Sequence, residues 1–311
     1  MNEFYHYSVL LKESITLLNI KPDGVYVDLT LGGGGHSLEI LKHIGSGRLI
    51  AFDRDSDAIA ASKKRLTGYE DKITYINDNF INFASTLDYL GIKGVDGVIA
   101  DLGVSSFQLD TPSRGFSYHA EAPLDMRMSK TDPLTARDVV NNYPADKLKH
   151  IIYEYGEENA ADRITRAIIN ARGVSPIETT TQLAEIIKSA FPPKARFEGK
   201  HPARRTFQAI RIEVNNELEI IPQTLNSVIE KLNSGGVVAV ISFHSLEDRA
   251  VKETFKRFSN GCTCPREFPV CVCGFKPSIE ILTKKPITAD SCELDENLRS
   301  RSAKLRAAKK L

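Results

Sequence analysis

The alternation of strand-like and helix-like segments over residues 25–103 constrains the fold more than any other feature of the chain. Four short apolar runs typical of buried strands alternate with three segments of helical spacing, and the runs cover residues 25–31, 48–53, 73–76 and 97–102. Strands that alternate with helices in this way build a parallel sheet with helices on its faces. The pattern therefore predicts half of a doubly wound α/β domain.

The alternation stops after the fourth strand and resumes much later in the chain. From about 104 to 206 apolar residues recur at intervals of three and four, which predicts helices and no strand. Beyond this stretch we predict a long helix ending near Asn233, a strand at 237–243, a helix at 246–258 and short strands at 279–283 and 304–308. We therefore expect a sheet domain formed by residues 1–105 and 207–311, with a helical domain inserted at 106–206.

The composition excludes several classes of protein. Apolar residues make up 41% of the chain and charged residues 26%, which is typical of a globular rather than a disordered protein. The longest apolar runs are far shorter than the roughly 18 residues that cross a bilayer. The first 14 residues have no apolar stretch of the kind found in signal peptides. We therefore expect a cytoplasmic protein that does not contact membranes.

The basic residues are concentrated in two segments, although the whole chain has a net charge of only +1. Residues 194–211 carry a local charge of +5 and residues 299–311 a local charge of +6, which leaves −10 for the rest. Two basic patches on an acidic body indicate an anionic ligand bound at defined places. The first segment is the better RNA candidate because Phe197 and Phe207 lie among its cations. The C-terminal segment can equally be a solvated tail.

A run of four glycines at residues 32–35 follows the first predicted strand and precedes a helix. Such a turn lets the backbone approach a ligand closely. The dinucleotide fingerprint needs a further glycine where the chain has Ser37 and Leu38, so a nicotinamide oxidoreductase is disfavoured. The spacing Asp28-x-Thr30-x-Gly32-x-Gly34 instead resembles the first motif of class I methyltransferases that use S-adenosylmethionine. Thr30 stands where that motif usually has its first glycine.

Polar or aromatic residues follow each of the next three strands. Asp53 ends the second strand, where a carboxylate can accept hydrogen bonds from both ribose hydroxyls of an adenosine. Asp78 and Phe80 follow the third strand, at a position suited to holding the adenine base, and Asp101 ends the fourth. Ligands of open α/β sheets bind at the carboxyl edge of the strands. These residues therefore predict an adenosyl-cofactor site there.

Longer motifs identify a family. The chain contains Asp101-Leu-Gly-Val-Ser-Ser-Phe-Gln-Leu-Asp110, Arg114-Gly-Phe-Ser-Tyr118, Pro123-Leu-Asp-Met-Arg-Met128, His201-Pro-Ala-Arg-Arg-Thr-Phe-Gln-Ala-Ile-Arg211, Ser242-Phe-His-Ser-Leu-Glu-Asp-Arg249 and Arg299-Ser-Arg-Ser302. In this order they closely resemble the bacterial ribosomal RNA small subunit methyltransferase H family, formerly called MraW. The resemblance runs nearly end to end. It implies a Rossmann-like class I methyltransferase with an inserted helical substrate-recognition domain.

The resemblance also implies an activity and a set of cofactor contacts. The implied reaction is methyl transfer from S-adenosylmethionine to the exocyclic N4 amine of one cytidine in the decoding region of 16S rRNA, near the P site of the 30S subunit. The implied cofactor contacts are Gly34, Gly35, His36, Asp53, Phe80, Asp101 and Gln108. His36 and Gln108 come from the family alone, and we expect His36 to act mainly through its backbone N–H.

The residue that accepts hydrogen bonds from the target amine is not fixed by the sequence. Many amino-methyltransferases have an Asp/Asn-Pro-Pro-aromatic motif after strand four, but this chain has Asp101-Leu-Gly-Val. The candidates are Asp125, which can alternatively form an ion pair with Arg127 or Arg114, and His244, which can alternatively be bound within its own turn. For contacts with RNA phosphates we predict Lys200, Arg204 and Arg205.

The cysteines leave the question of a metal open. Four of the five are Cys262, Cys264, Cys271 and Cys273. Four thiolates on a short loop can enclose zinc, but paired ligands of structural zinc are usually separated by two or more residues. Reduced, partly buried thiols are the alternative, and no metal ligand is assigned.

Other activities and assemblies remain open as well. The chain can methylate another RNA base, or be an RNA-binding assembly factor without catalysis. Either a monomer or a homodimer is compatible with the sequence.

Overall fold

The computed structural model describes residues 8–193, 201–262, 264 and 272–311. The chain divides into two compact units. The first unit combines the chain up to Gly103 with the chain from Leu218 onwards, and the second unit is Val104–Glu217. Each unit has its own hydrophobic core.

The elements of the first unit follow the predicted alternation. Its helices are α1 (Leu11–Leu18), α2 (Gly35–His43), α3 (Ser56–Arg65), α4 (Phe83–Tyr89), α11 (Ile220–Lys231), α12 (Ser245–Asn260) and α13 (Ser291–Glu296). Its strands are β1 (Val25–Asp28), β2 (Arg48–Phe52), β3 (Ile73–Ile76), β4 (Val95–Asp101), β5 (Leu232–Ser242), β6 (Ile279–Ile281) and β7 (Lys304–Lys310).

The seven strands form one sheet in the order β3-β2-β1-β4-β5-β7-β6. Strands β1 to β5 are parallel to one another, and β7 runs antiparallel between β5 and β6. Because β1 pairs with both β2 and β4, the sheet reverses its winding at β1 and β4. The carboxyl ends of β1, β2 and β4 therefore meet at the place where open α/β sheets bind ligands.

Both faces of the sheet are buried, which explains why β4 and β5 are apolar without alternation. Val98 and Val240 contribute to the core on one face. Their sequence neighbours Ile99 and Ile241 contribute to the core on the other. All four side chains are at most 1% exposed. Helices on each face complete the doubly wound arrangement that the sequence predicts.

The second unit is helical. Its helices are α5 (Ser106–Asp110), α6 (Ala136–Asn142), α7 (Ala145–Glu154), α8 (Ala161–Val174), α9 (Thr180–Ser189) and α10 (Ala203–Asn215). An isolated antiparallel bridge joins Pro123 to Thr179, and the described residues of this unit form no longer strand. The apolar face predicted around Leu148, Ile151 and Ile152 on α7 lies in its core.

The unit boundaries differ from those expected from the sequence. The sequence predicts the second boundary between residues 206 and 207, but in the structure it falls after Glu217. Helix α10 causes the difference, because Phe207, Ile210 and Val214 pack in the core of the second unit. Asn216 ends α10 in the left-handed conformation, with φ 50°. The helix predicted to end near Asn233 is α11, which ends at Lys231.

The basic C-terminal segment is an internal strand of the sheet. Arg306 on β7 is 8% exposed and donates from Nε to Asp248 Oδ1 at 2.6 Å. Lys304 Nζ lies 3.3 Å from Asp248 Oδ2, and Lys309 Nζ lies 2.9 Å from Glu280 Oε2. The charges of β7 are thus matched by acids of α12 and β6, so a solvated tail is the wrong interpretation.

Within the residues that the structure describes, no helix is both long enough and apolar enough to cross a membrane.

Candidate functional site

The glycine run after β1 forms a tight turn that leads directly into α2. Gly34 has φ 73°, a left-handed conformation that favours glycine, and its N–H donates to the Leu31 carbonyl at 2.7 Å. Helix α2 begins at the next residue, Gly35. The turn therefore presents the first N–H groups of α2, which have no partners inside the helix, at the carboxyl edge of the sheet.

Gly35 and His36 contact the N-terminal segment of the chain. A Cβ atom on Gly35 would lie 1.8 Å from Ser8 Oγ, so a side chain at this position would displace that segment. The buried His36 ring lies with Nε2 3.1 Å from the Val9 carbonyl oxygen. The N-terminal segment thus fills the space that a side chain on Gly35 would need, and it contacts one ring nitrogen of His36. A cofactor contact through the backbone N–H of His36 stays a prediction.

Asp53 connects the end of β2 to the glycine turn. Its Oδ2 accepts a hydrogen bond from the Gly32 N–H at 2.8 Å, and Oδ1 accepts from the Asp55 N–H at 2.8 Å. Burial raises the pKa of Asp53 to about 6, although these two hydrogen bonds act to lower it. Each carboxylate oxygen has more than one lone pair, so further donors can be accepted. The carboxylate thus fixes the turn and still suits a pair of ribose hydroxyls.

The Thr30 side chain has a structural role that the glycine usually found at this position of the motif could not have. Its hydroxyl accepts a hydrogen bond from the Asp101 N–H at 2.6 Å and so connects the ends of β1 and β4. Beside it, Asp28 is 2% exposed and accepts from the Thr30 N–H at 3.0 Å and from the Ser37 hydroxyl at 2.7 Å. Burial raises the pKa of Asp28 to about 6. Sequence reasoning identified neither the role of Thr30 nor that of Ser37.

Asp101 has a buried carboxylate oxygen, Oδ1, that makes no hydrogen bond with any described residue. Burial raises the pKa of Asp101 well above its ordinary value, and repulsion by Asp28, Glu247 and Glu293 adds to the effect. A buried acceptor without a donor is costly in a folded protein. Its position at the end of β4, beside β1, fits a site whose missing donor is the hydroxyl or amine of a bound cofactor.

Phe80 begins a short 3-10 helix, Phe80–Asn82, after β3. Its ring is partly buried against the core on one face of the sheet. Asp78 is exposed and accepts from the Asn79 N–H at 2.7 Å and from Asn82 Nδ2 at 2.9 Å. Asp78 therefore stabilises the turn that holds Phe80 next to the carboxyl end of β3.

His244 caps α12. Its Nδ1 accepts from the Glu247 N–H at 3.4 Å, while Glu247 Oε2 accepts from the His244 N–H at 3.2 Å. His244 Nε2 also lies 3.1 Å from Glu247 Oε1. The imidazole is 7% exposed. This is the contact within its own turn that the sequence left as the alternative to catalysis.

Asp125 lies in the second unit and is half-buried against Arg127. Arg127 donates from Nε to Oδ1 at 3.0 Å and from Nη2 to Oδ2 at 2.7 Å. Burial acts to raise the pKa of Asp125, but the hydrogen bonds and positive charge of Arg127 hold it below its ordinary value. The carboxylate is therefore ionised at neutral pH. The ion pair that the sequence offered as the alternative role is present.

The loop around Asp125 is fixed by two further polar side chains. Asn215 donates from Nδ2 to the Met126 carbonyl at 2.8 Å and accepts at Oδ1 from the Met128 N–H at 2.7 Å. Arg114 is 4% exposed and donates to the carbonyls of Arg127 and Met128 at 2.9 Å. Met126 is left-handed, with φ 59°, a conformation that is costly for a residue with a side chain. Asn215 was not predicted as a functional residue, because the sequence shows only that a polar residue follows Val214.

Gln108 also belongs to the second unit. It is 4% exposed and forms a capping box with Ser105 at the start of α5. Its Nε2 lies 3.4 Å from the Met128 carbonyl oxygen. Gln108 thus connects α5 to the loop around Asp125.

The structure describes two of the three predicted RNA contacts, Arg204 and Arg205. Lys200 lies outside the described residues. Arg204 and Arg205 are in the first turn of α10, where Arg205 Nη1 lies 3.8 Å from Glu158 Oε2. Arg204 makes no ion pair with the part of the chain that the structure describes. Arg211, a further cation of this segment, is held by Glu217 through two hydrogen bonds.

Aromatic rings lie beside these arginines in sequence. His201, two residues before α10, stacks on Tyr118 with ring centres 4.7 Å apart and planes inclined by 17°. Phe207 meets Tyr118 edge-on at 5.4 Å, and His119 lies 5.9 Å from His201. Burial lowers the pKa of His201, and the neighbouring charges of His119 and Lys188 lower it further. Two sequence motifs are therefore joined by aromatic contacts that the spacing of residues did not predict.

The strand order β3-β2-β1-β4-β5-β7-β6, in which the antiparallel strand β7 lies between β5 and β6, is the order found in class I methyltransferases. Asp53, directly after β2, and Asp101, at the end of β4, flank a glycine turn, and acidic groups at this edge of the sheet suit an adenosyl cofactor. The chain is therefore a methyltransferase of this class, and its cofactor is S-adenosylmethionine.

The comparisons with known proteins identify the family. Residues 3–311 match the MraW methylase family, and the chain belongs to it. It is 54% identical over 310 residues to ribosomal RNA small subunit methyltransferase H 2 of Agathobacter rectalis, covering 99% of each chain. It is 55% identical over 310 residues to ribosomal RNA small subunit methyltransferase H of Clostridium botulinum strain 657, covering 99% of this chain and 100% of that one. The relatives thus match the whole chain.

Proposed function

We propose that this protein transfers a methyl group from S-adenosylmethionine to the exocyclic N4 amine of one cytidine in the decoding region of 16S rRNA. The observation that carries the proposal is the buried Oδ1 of Asp101 at the end of β4, which makes no hydrogen bond with a described residue, in a chain that matches the MraW methylases over residues 3–311. The names of the relatives support ribosomal RNA of the small subunit as the substrate. The base and the atom rest on the resemblance of the sequence motifs.

The cofactor, when bound, supplies a methyl group activated by attachment to a sulfonium. Asp53 would accept hydrogen bonds from its ribose, and Asp101 would satisfy its buried oxygen with a cofactor donor. Phe80 would provide an apolar surface for the adenine. Asp53 connects the glycine turn to the end of β2, and Thr30 connects the end of β1 to the end of β4, so these groups are held in place before the cofactor arrives. Preorganisation of this kind reduces the entropic cost of binding.

The cytosine amine is a weak nucleophile because its lone pair is delocalised into the ring. The protein must therefore hold the amine in position and accept its hydrogen bonds as positive charge develops on nitrogen. Asp125 is our first candidate, since the lowered pKa keeps it an ionised acceptor at neutral pH. His244 is the second candidate. Its Nδ1 accepts from the Glu247 N–H, so the neutral ring carries its proton on Nε2, 3.1 Å from Glu247 Oε1. His244 would therefore have to leave this cap before a ring nitrogen could accept from the amine.

The RNA contacts are proposed for the start of α10. Arg204 and Arg205 would bind phosphates together with Lys200. The rings of Tyr118 and His201 are partly exposed, as is typical of side chains that stack on unpaired bases. A protein that acts on this substrate works where ribosomal subunits are assembled, which is the cytoplasm.

The test uses methyl-labelled S-adenosylmethionine, the purified protein, and 30S subunits from cells that lack the gene. After the reaction, the RNA is digested and its nucleosides are separated. Label in N4-methylcytidine at a single 16S position is the expected result. The matched controls are Asp101→Asn, which should lose labelling at limiting cofactor, and Asp96→Asn at the opposite end of β4, which should not.

Two outcomes contradict the proposal. Label in another nucleoside would show a methyltransferase for a different base. Cofactor binding without any labelled RNA, on free 16S rRNA as well as on subunits, would favour an RNA-binding assembly factor.

A further inference from the structure

Three cysteine sulfurs converge on the segment between α12 and β6. The Sγ atoms of Cys262, Cys264 and Cys273 all lie within 4.8 Å of one another. Those of Cys262 and Cys273 are 3.6 Å apart although the residues are separated by eleven positions. A disulfide needs a sulfur–sulfur distance of about 2.05 Å. Sulfurs placed tetrahedrally at about 2.3 Å around one zinc ion are roughly 3.8 Å apart.

The surrounding backbone is arranged to bring these thiols together. The Ser278 N–H donates to the Phe258 carbonyl at 3.0 Å and closes the base of the loop. Gly274, directly after Cys273, has φ 69°, so the chain turns back immediately after the cysteine. The Val272 N–H lies 3.3 Å from Cys264 Sγ and points a donor at that sulfur. Donors of this kind stabilise the negative charge of a thiolate ligand.

The exposure of the cysteines argues against a packing role. Buried thiols act as small apolar side chains, but Cys262 and Cys273 are exposed and Cys264 is only partly buried. The alternative drawn from the sequence, partly buried thiols, therefore does not account for two of the three. Clusters of thiolates in a cytoplasmic protein prefer zinc over the harder magnesium and calcium ions.

The short spacing within each cysteine pair does not prevent a shared ion. Cys262 meets Cys273 across the loop, so the convergence does not depend on its sequence neighbour Cys264. Three thiolates occupy three corners of a tetrahedron. The fourth corner would be taken by a water molecule.

We propose that Cys262, Cys264 and Cys273 hold a structural Zn²⁺ ion that joins the end of α12 to the approach to β6. The ion cross-links a loop that connects the helix to the edge strand of the sheet. Its binding adds to the stability of this connection, as metal binding does wherever the ligands are brought together only by folding. The site is separate from the cofactor residues, and it does not depend on which nucleoside is methylated.

The test measures metal content and coordination. The protein is purified under reducing, anaerobic conditions from cells grown with added zinc, and zinc per chain is measured by mass spectrometry of the elements. Stripped protein is then titrated with Co²⁺, whose visible spectrum reports tetrahedral thiolate ligation. The variants are Cys262→Ser and Cys273→Ser, and the matched control is Cys292→Ser, an exposed cysteine on α13.

One zinc per chain is expected in the wild type and in Cys292→Ser, with at least tenfold weaker Co²⁺ binding in the other two variants. Cofactor binding by every variant verifies that each one is folded. The proposal is overturned if the reduced wild type binds no stoichiometric metal, or if Cys262→Ser and Cys273→Ser bind it as the wild type does. It is also overturned if rapid alkylation in cell extracts reveals a Cys262–Cys273 disulfide as the resident state.

Discussion

Replacing Asp101 by asparagine should have opposite effects on stability and on cofactor binding. In the protein without cofactor, Asp101 Oδ1 is buried and makes no hydrogen bond with the described residues, and three acids repel its charge. Asn has nearly the same shape and no charge. Removal of the buried charge should leave the free energy of unfolding unchanged or higher. The hydrogen bond from Asp101 N–H to Thr30 is kept, since it involves the backbone.

Cofactor binding should become weaker in the same variant. A hydrogen bond to a charged group contributes roughly 1.5–3 kcal/mol and a neutral one about 0.5–1.5 kcal/mol. The difference of about 1–2 kcal/mol corresponds to a dissociation constant that is roughly 5- to 30-fold higher. Calorimetric titration with S-adenosylhomocysteine and urea unfolding without ligand measure the two quantities on the same preparation.

Asp96→Asn is the matched control because Asp96 lies on the same strand at the opposite edge. Asp96 Oδ2 accepts from the Val25 N–H at 2.9 Å, so this variant should lose stability and keep its cofactor affinity. Cofactor binding by Asp101→Asn within twofold of the wild type would contradict this prediction. A loss of more than about 1 kcal/mol of stability in that variant would contradict it as well and would indicate that Asp101 is a structural acceptor.

Four further predictions concern the same unit and the start of α10. Thr30→Val should cost roughly 1–3 kcal/mol in urea unfolding, because the part-buried Asp101 N–H loses its acceptor. Thr30→Ser should restore stability, and an equal loss in both variants would contradict this. Cofactor affinity should fall as the pH drops through about 6, where Asp53 gains its proton; an affinity that is flat in calorimetry between pH 5 and 8 would refute this. Because the pKa of Asp53 is raised from 3.8, the cofactor-free protein should also lose stability as pH rises between these two values, and Asp53→Asn should flatten that loss. Arg204→Ala should weaken RNA binding in filter assays and reduce the salt dependence of binding by about one unit of slope. Arg205→Ala should have a smaller effect, because Glu158 already shares the charge of Arg205. A slope equal to that of the wild type in both variants would argue against phosphate contacts.

The parallel part of the sheet could be predicted because its signals are local. Each strand was visible as an apolar run, and β3 has the bounds that the sequence predicted, Ile73–Ile76. Because these strands were predicted to be parallel, their carboxyl ends could be expected at one edge of the sheet. For this reason the prediction of an α/β sheet of the class I methyltransferase type is confirmed.

The alternatives for individual polar residues could not be decided in the same way. A sequence shows that Asp125 has Arg127 two residues away, but not that the guanidinium binds both carboxylate oxygens. Likewise His244 precedes a helix, and only the conformation of the turn directs Nδ1 to the Glu247 N–H. Both outcomes depend on rotamers and backbone angles that are set by packing.

The sequence by itself determined the alternation of strands and helices, the glycine turn, and the acidic ends of β2 and β4, because each is encoded by neighbouring residues. Only the tertiary structure decided which distant groups meet. Thr30 receives the N–H of Asp101 from 71 positions away, and Asn215 holds Met128 from 87 positions away. The cysteines at 262 and 273 converge for the same reason. Such contacts arise from strand order and loop closure, which no periodicity in the chain records.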